Sequence, residues 1–146
     1  MEKSKIIIYT DGGARGNPGS AAIGVVIKDK SAQGGSALGR GYSKAIGETT
    51  NNVAEYEAVV FGLKKVKALI GGDEAKKTDV EIRSDSELVV SQLRGDYKIK
   101  EHELIPRFVE VWNLKQDFQS VEFTYVPREE NGEADTLVNR ALDTLL

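Results

Sequence analysis

The sequence predicts an α/β protein with a five-stranded mixed sheet, the element order βββαβααβα and helices on both faces of the sheet. Two observations carry this prediction. Three short segments rich in β-branched residues follow one another within the first 43 residues, with glycine-rich stretches between them, which is typical of an antiparallel meander. Helical and strand patterns then alternate, so a later strand is reached through a helical crossover and must pair in parallel.

The first three strands are predicted at residues 5–10, 22–28 and 37–43. Residues 12–19 are dense in glycine, asparagine and proline, which predicts a loop between the first two strands. Gly34-Gly35 predicts a hairpin turn before the third strand. The amino-terminal part of the chain is therefore expected to form the antiparallel half of the sheet.

A helical period begins at about residue 52, and glycines 71 and 72 end it. Its apolar face consists of Tyr56, Val59, Val60, Leu63, Val66 and Ile70. The remaining elements are a strand at 80–84, a short helix at 86–93, a helix from Pro106 to about 118, a strand at 121–126 and an amphipathic helix from about 134. No repeat or linker interrupts this order, so we expect a single domain over residues 1–146.

The composition limits the functions that the protein can have. The chain has no cysteine, which excludes disulfides and thiolate zinc sites, and its single histidine, His102, excludes a multi-histidine metal site. Any metal must be held by oxygen, which favours Mg²⁺, Mn²⁺ or Ca²⁺. The net charge of −3 argues against coating nucleic acid through bulk charge. No membrane span or signal peptide is recognisable, so we expect a cytoplasmic, monomeric protein with no membrane partner.

Four carboxylates, Asp11, Glu55, Asp85 and Asp135, lie where strand ends and helix starts are predicted. Each has a local alternative explanation. Asp11 can be a turn former, Glu55 a capping-box partner of an Asn52 cap, Ser84 or Asp85 a helix cap, and Asp135 a favourable charge at a helix start. If the four converge, they repel one another by about 4 kcal/mol per pair at ~4 Å, so only cations make the cluster tolerable. The joint pattern therefore favours divalent metal and phosphate chemistry.

The motifs around these acids, taken in order, resemble those of the type 1 ribonuclease H family over nearly the whole chain. They are Tyr9-Thr10-Asp11-Gly12 with Asn17-Pro18-Gly19, Thr50-Asn51-Asn52-Val53-Ala54-Glu55, Ser84-Asp85-Ser86, and Val126-Pro127-Arg128-Glu129-Glu130-Asn131 leading to Ala134-Asp135. The resemblance implies a ribonuclease H-like fold and hydrolysis of the RNA strand of an RNA–DNA hybrid, leaving 5′-phosphate and 3′-hydroxyl ends. It also implies that the four acids hold two Mg²⁺ ions, for which Mn²⁺ can substitute.

The resemblance assigns substrate contacts as well. Asn51 would face the minor groove on the RNA side, and Thr50 and Asn52 would hold a DNA phosphate. The backbone of Gly12 and Gly13 would lie near the RNA strand, where a 2′-hydroxyl contact distinguishes RNA from DNA. Asn17 either binds the nucleic-acid backbone or shapes its turn, and we favour shaping.

The chain departs from many relatives at three places. Glu87 replaces a glutamine that can read the minor groove, and an ionised carboxylate cannot donate a hydrogen bond. Arg128 replaces a mobile histidine; we count it among the catalytic residues because it can steer phosphate or ease product release, although it can also be a solvated loop charge. The basic handle of some bacterial relatives is absent, and residues 94–100 occupy its place. There Tyr97 and nearby basic residues form either a small DNA-strand surface or a solvated loop.

Other activities also fit these motifs. Double-stranded RNA is a second candidate substrate because it shares A-form geometry. A non-catalytic nucleic-acid-binding module, or a different metal-dependent nuclease on the same fold, would retain the same motifs.

Overall fold

The computed structural model describes residues 4–30 and 39–145. The strands are β1 (Ser4–Gly16), β2 (Gly19–Asp29), β3 (Arg40–Thr49), β4 (Thr78–Ser84) and β5 (Ser120–Tyr125). The helices are α1 (Asn51–Ile70), α2 (Gly72–Ala75), α3 (Glu87–Leu93), α4 (Ile105–Lys115) and α5 (Gly132–Asp143), with 3₁₀ turns at His102–Leu104 and Arg128–Asn131. The predicted order is confirmed, and the one-turn helix α2 is an addition to it. Every helix in the described ranges is too short or too polar to cross a membrane.

The five strands form one mixed sheet in the order β3-β2-β1-β4-β5. β1 pairs with β2, and β2 with β3, in antiparallel fashion. β4 reaches β1 through the α1 crossover and pairs with it in parallel, and β5 pairs in parallel with β4. The mixed α/β ribonuclease H-like fold expected from the sequence is therefore confirmed.

The predicted loop at residues 12–19 is wrong, because β1 continues through Gly16. Its ladder with β2 runs on to the Gly16–Gly19 pair, so the hydrogen bonds of strand pairing override the weak strand propensity of glycine. Only the parallel pairing with β4 stops early, at the Thr10–Ser84 pair. Asp11 is therefore the first residue of β1 beyond the carboxyl end of β4, rather than the last residue of a strand.

Other boundaries also shift. β3 runs to Thr49, six residues beyond the predicted end, whereas residues 37 and 38 and the predicted Gly34-Gly35 turn lie outside the described residues. α4 ends at Lys115 instead of continuing to Phe118. Residues 94–101 alone connect α3 to the following 3₁₀ turn, so the absence of an inserted handle is confirmed.

The two faces of the sheet are covered by different helices. α1 packs on one face, where Gly62 lies against the side chains of Ile8 and Val25. α5 packs on the other face, over β2 and β3, where Ala22 and Val138 share a small buried cluster. The sheet therefore lies between α1 and α5.

Gly24 lets the α5 helix approach β2 closely. A Cβ atom on Gly24 would lie 2.1 Å from the Ala134 carbonyl oxygen and 3.0 Å from the Val138 nitrogen, both of them backbone atoms. We expect Gly24→Ala to lower the free energy of unfolding by about 1–3 kcal/mol, because α5 must move away from the sheet. Chemical denaturation measures this, with Gly72→Ala as the control, since a Cβ there has no neighbour within 4 Å. Equal stability of the two variants would contradict the prediction.

Candidate metal centre and nucleic-acid cleft

Four acidic side chains meet where β1 passes the end of β4. Asp11 lies on β1, Glu55 on α1 and Asp85 directly after β4, and one carboxylate oxygen from each lies within 4.8 Å of the other two. Asp135, in the first turn of α5, is close enough to Asp11 for its charge to raise the pKa of Asp11, and it lines the same cleft, whose volume is about 520 Å³. The structure therefore brings together all four acids singled out in the sequence.

The local explanations for two of these acids are wrong. Thr50 caps α1, its Oγ1 accepting from the backbone N–H of Val53 at 3.2 Å, so Asn52 is not the cap and Glu55 is not a capping-box partner. Ser86 caps α3 in the same way, and neither Ser84 nor Asp85 does so. The carboxylates of Glu55 and Asp85 are thus not needed to cap these helices.

Glu55 is fixed by the close contact between β1 and α1. The backbone N–H of Gly12 donates to Glu55 Oε1 at 2.9 Å. A Cβ on Gly12 would lie 2.3 Å from the backbone carbonyl carbon and oxygen of Ala54, so only glycine permits this approach. The role of Gly12 here is to let the two backbones touch, which points the Glu55 side chain into the cleft.

The acids perturb one another strongly in the absence of a cation. Burial, then the charges of Asp85 and Asp135, raise the pKa of Asp11 to about 8. Burial and the charges of Asp11 and Asp85 raise the pKa of Glu55 well above its ordinary value. The pKa of Asp85 is also raised, mainly by burial, although Arg128 and a hydrogen bond from Asn131 oppose the shift. A divalent cation bound by these carboxylate oxygens would relieve the repulsion. Mg²⁺ and Mn²⁺ prefer oxygen ligands, so both ions fit this donor set.

Arg128 stands at the edge of the acidic cluster. It lies in the 3₁₀ turn before α5, and its side chain is 81% exposed, with Nη2 4.0 Å from Asp135 Oδ1. At this distance the guanidinium is close to Asp135 but not tightly bound to it. A contact of Arg128 with a phosphate stays a prediction.

The predicted nucleic-acid contacts fall into two groups. Gly12, Gly13 and Asn51 line the acidic cleft. Asn51 Oδ1 accepts from the backbone N–H of Ala14 at 2.8 Å, which leaves its amide N–H groups for a ligand. Asn17 Oδ1 accepts from the backbone N–H of Asn51 at 3.0 Å, so Asn17 ties the β1–β2 turn to α1, in agreement with a shaping role.

The second group lies outside the lining of this cleft. The Thr50 hydroxyl caps α1, and the Asn52 amide donates to Glu101 Oε1 at 2.8 Å. Tyr97 is exposed, and its hydroxyl donates to Glu87 Oε1 at 3.3 Å. A separate depression of about 420 Å³ includes Tyr97 and Glu101 in its walls. Contacts of these residues with a substrate stay predictions.

Asn131, beside the acids, and Arg15, in the lining of the cleft, had no predicted role. Asn131 is 1% exposed, and its Nδ2 donates to the Thr10 carbonyl oxygen at 2.9 Å, which ties the Arg128 turn to β1 beside Asp85. Arg15 lines the cleft from the far end of β1. Strand alternation would have placed Arg15 on the same face as Asp11, but the residues between them were read as a loop.

The chain is similar to several known proteins. Residues 9–141 match the family described as reverse transcriptase-like. A bifunctional protein of Mycobacterium tuberculosis is 38% identical over 142 residues, covering 95% of this chain and 36% of the relative. Ribonuclease HI of Halobacterium salinarum is 40% identical over 139 residues, covering 95% of this chain and 65% of the relative. The crystal structure of LC11-RNase H1 in complex with an RNA/DNA hybrid has a TM-score of 0.85 and 48% identity, covering 96% of this chain and 98% of that one.

The chain spans only about a third of the length of the mycobacterial relatives, whereas it covers nearly all of the LC11 chain. The matched segment includes the elements that carry the four acids. The fold, the family match and these relatives agree with one another, and the chain therefore belongs to the type 1 ribonuclease H family.

Proposed function

We propose that this protein is a metal-dependent endoribonuclease that hydrolyses the RNA strand of RNA–DNA hybrids and leaves 5′-phosphate and 3′-hydroxyl ends. The observation that carries the proposal is the convergence of Asp11, Glu55 and Asp85, whose carboxylate oxygens lie within 4.8 Å of one another. The likeness to LC11-RNase H1, which has been crystallised with an RNA/DNA hybrid, supports the substrate class.

Asp11, Glu55, Asp85 and Asp135 would hold two Mg²⁺ ions, with Asp11 as the central ligand. When bound, the ions would supply Lewis-acid stabilisation of the charge that develops on the attacking and leaving oxygens. The protein contributes rigidity: the Gly12 N–H fixes Glu55, and Asn131 holds the turn that precedes Asp135. Preorganised ligands of this kind need little rearrangement during the reaction.

Selection of RNA would depend on the rim of the cleft near the start of α1. The free amide N–H groups of Asn51 can donate to a 2′-hydroxyl or to a base edge in the minor groove. Gly13 has no side chain, so a sugar can approach the backbone of β1 closely there. DNA lacks the 2′-hydroxyl and would lose this contact.

The direct test uses end-labelled RNA–DNA hybrid, single-stranded RNA, double-stranded RNA and double-stranded DNA, each with Mg²⁺, Mn²⁺ or EDTA. We expect cleavage of the RNA strand of the hybrid with either metal and none with EDTA. Equal cleavage of all four substrates would contradict the proposed selectivity. Tight hybrid binding without turnover in any metal would favour the non-catalytic module, and faster cleavage of duplex DNA would favour a different nuclease.

A further inference from the structure

Arg15 lies on the same face of β1 as the central acid. Side chains alternate along a strand, so Asp11, Gly13 and Arg15 point to one side, toward α5. A Cβ at Gly13 would meet Val138 of α5 at 3.7 Å, and Arg15 Nη2 lies 2.6 Å from Oδ1 of Asp143 at the end of α5. Four residues of strand place Arg15 roughly 13 Å from Asp11, and both residues line one cleft.

The charges along this cleft are arranged unevenly. Four acids line it, and Arg15 and Arg128 are the cationic residues of its described lining. Arg128 lies beside Asp135, while Arg15 lies at the opposite end of the β1 segment. A nucleic-acid strand that reaches the acids must bring neighbouring phosphates with it, and these need positive charge beyond the acidic cluster. A guanidinium suits this task because its planar fork can bind a phosphate with two hydrogen bonds.

The ion pair between Arg15 and Asp143 is easy to break. The two side chains are 44% and 64% exposed, and exposed ion pairs contribute little to stability in water. A phosphate can therefore displace Asp143 from the guanidinium at low cost. Gly13, without a side chain, lines the cleft between Asp11 and Arg15.

We propose that Arg15 binds a backbone phosphate of the strand that occupies the acidic cleft, and that Asp143 holds the same guanidinium when no nucleic acid is bound. This inference rests on the proposed function, since it takes a nucleic acid as the ligand. Arg15 is a binding residue in this assignment and takes no part in the chemical step. Asp143 weakens substrate binding because it competes with the phosphate.

The test measures steady-state cleavage of RNA–DNA hybrid, and hybrid affinity by fluorescence anisotropy, over a range of salt concentrations. Arg15→Ala is expected to raise KM and Kd about fivefold to tenfold at low salt with kcat nearly unchanged, and to reduce the slope of log KM against log salt by about 1. Asp143→Asn is expected to lower KM about twofold, and to have no effect when Arg15 is already alanine.

Lys64→Ala is the matched control, since Lys64 forms an exposed ion pair of similar kind with Glu110 on helices α1 and α4, away from the cleft. It is expected to leave KM and its salt slope unchanged. Unchanged binding in Arg15→Ala, an equal effect of Lys64→Ala, or a rise of KM in Asp143→Asn would overturn the assignment. A wild-type protein that does not cleave hybrid would instead contradict the proposed function, and the anisotropy measurement would still test Arg15.

Discussion

Asp11→Asn is expected to reduce kcat for hybrid cleavage by a factor on the order of 10³ or more. One carboxylate oxygen of Asp11 lies within 4.8 Å of oxygens from Glu55 and Asp85. The charge of Asp135 also acts on Asp11 and raises its pKa. Metal-held charge stabilisation is worth several kcal/mol in reactions of this class, and each 1.36 kcal/mol changes a rate about tenfold. Single-turnover assays with Mg²⁺ and with Mn²⁺ measure the loss, with circular dichroism to verify folding.

Two further variants sharpen this prediction. Asp135→Asn is expected to keep about tenfold more activity than Asp11→Asn. The reason is that Asp135 is not among the three acids whose carboxylate oxygens lie within 4.8 Å of one another. Asp79→Asn is the matched control, since Asp79 lies on β4 at the end remote from the cleft and accepts from Ser120 Oγ. Asp11→Asn activity within tenfold of wild type would show that the cluster is not the reaction centre.

The element order was predictable because it depends on local patterns. Tyr56, Val59 and Leu63 recur at helical spacing, which predicts a buried helical face without reference to the rest of the chain. All three residues are fully buried. The four acids were found in the same way, from their positions at the ends of such segments. Their convergence then follows from the crossover rule that makes β4 parallel to β1.

What could not be predicted depends on contacts between elements that local composition does not report. Residues 12–16 have the composition of a loop, and only the ladder with β2 makes them a strand. The misreading hid the alternation that places Arg15 on the same face of β1 as Asp11. The α1 cap was misplaced because both Thr50 and Asn52 are good cap residues, and the choice depends on where Glu55 meets Gly12. Both errors concern backbone contacts between β1 and its neighbours.

The metal-free protein is expected to lose stability as the pH rises from about 4 to about 8. The folded-state pKa of Asp11 is about 8 against an ordinary value of 3.8, so between these values the folded protein binds more protons than the unfolded chain. Its free energy of unfolding therefore falls as the pH rises through this window, and Glu55 and Asp85 contribute in the same direction.

Asp11→Asn removes much of this dependence, so at pH 8 in EDTA its Tm is expected to exceed that of wild type by an amount on the order of 5 °C. The difference should shrink toward pH 4, where Asp11 stays protonated in the folded protein and is about half protonated in the unfolded chain. Mg²⁺ at pH 8 is expected to raise the Tm of wild type more than that of the variant. The ion binds only the folded site, where it displaces protons from the carboxylate ligands. Thermal melts from pH 4 to 9 measure both effects, with Asp73→Asn in the exposed helix α2 as the control. Parallel pH profiles for wild type and Asp11→Asn would mean that the four carboxylates do not share one electrostatic environment, and the assignment of a common metal centre would then fail.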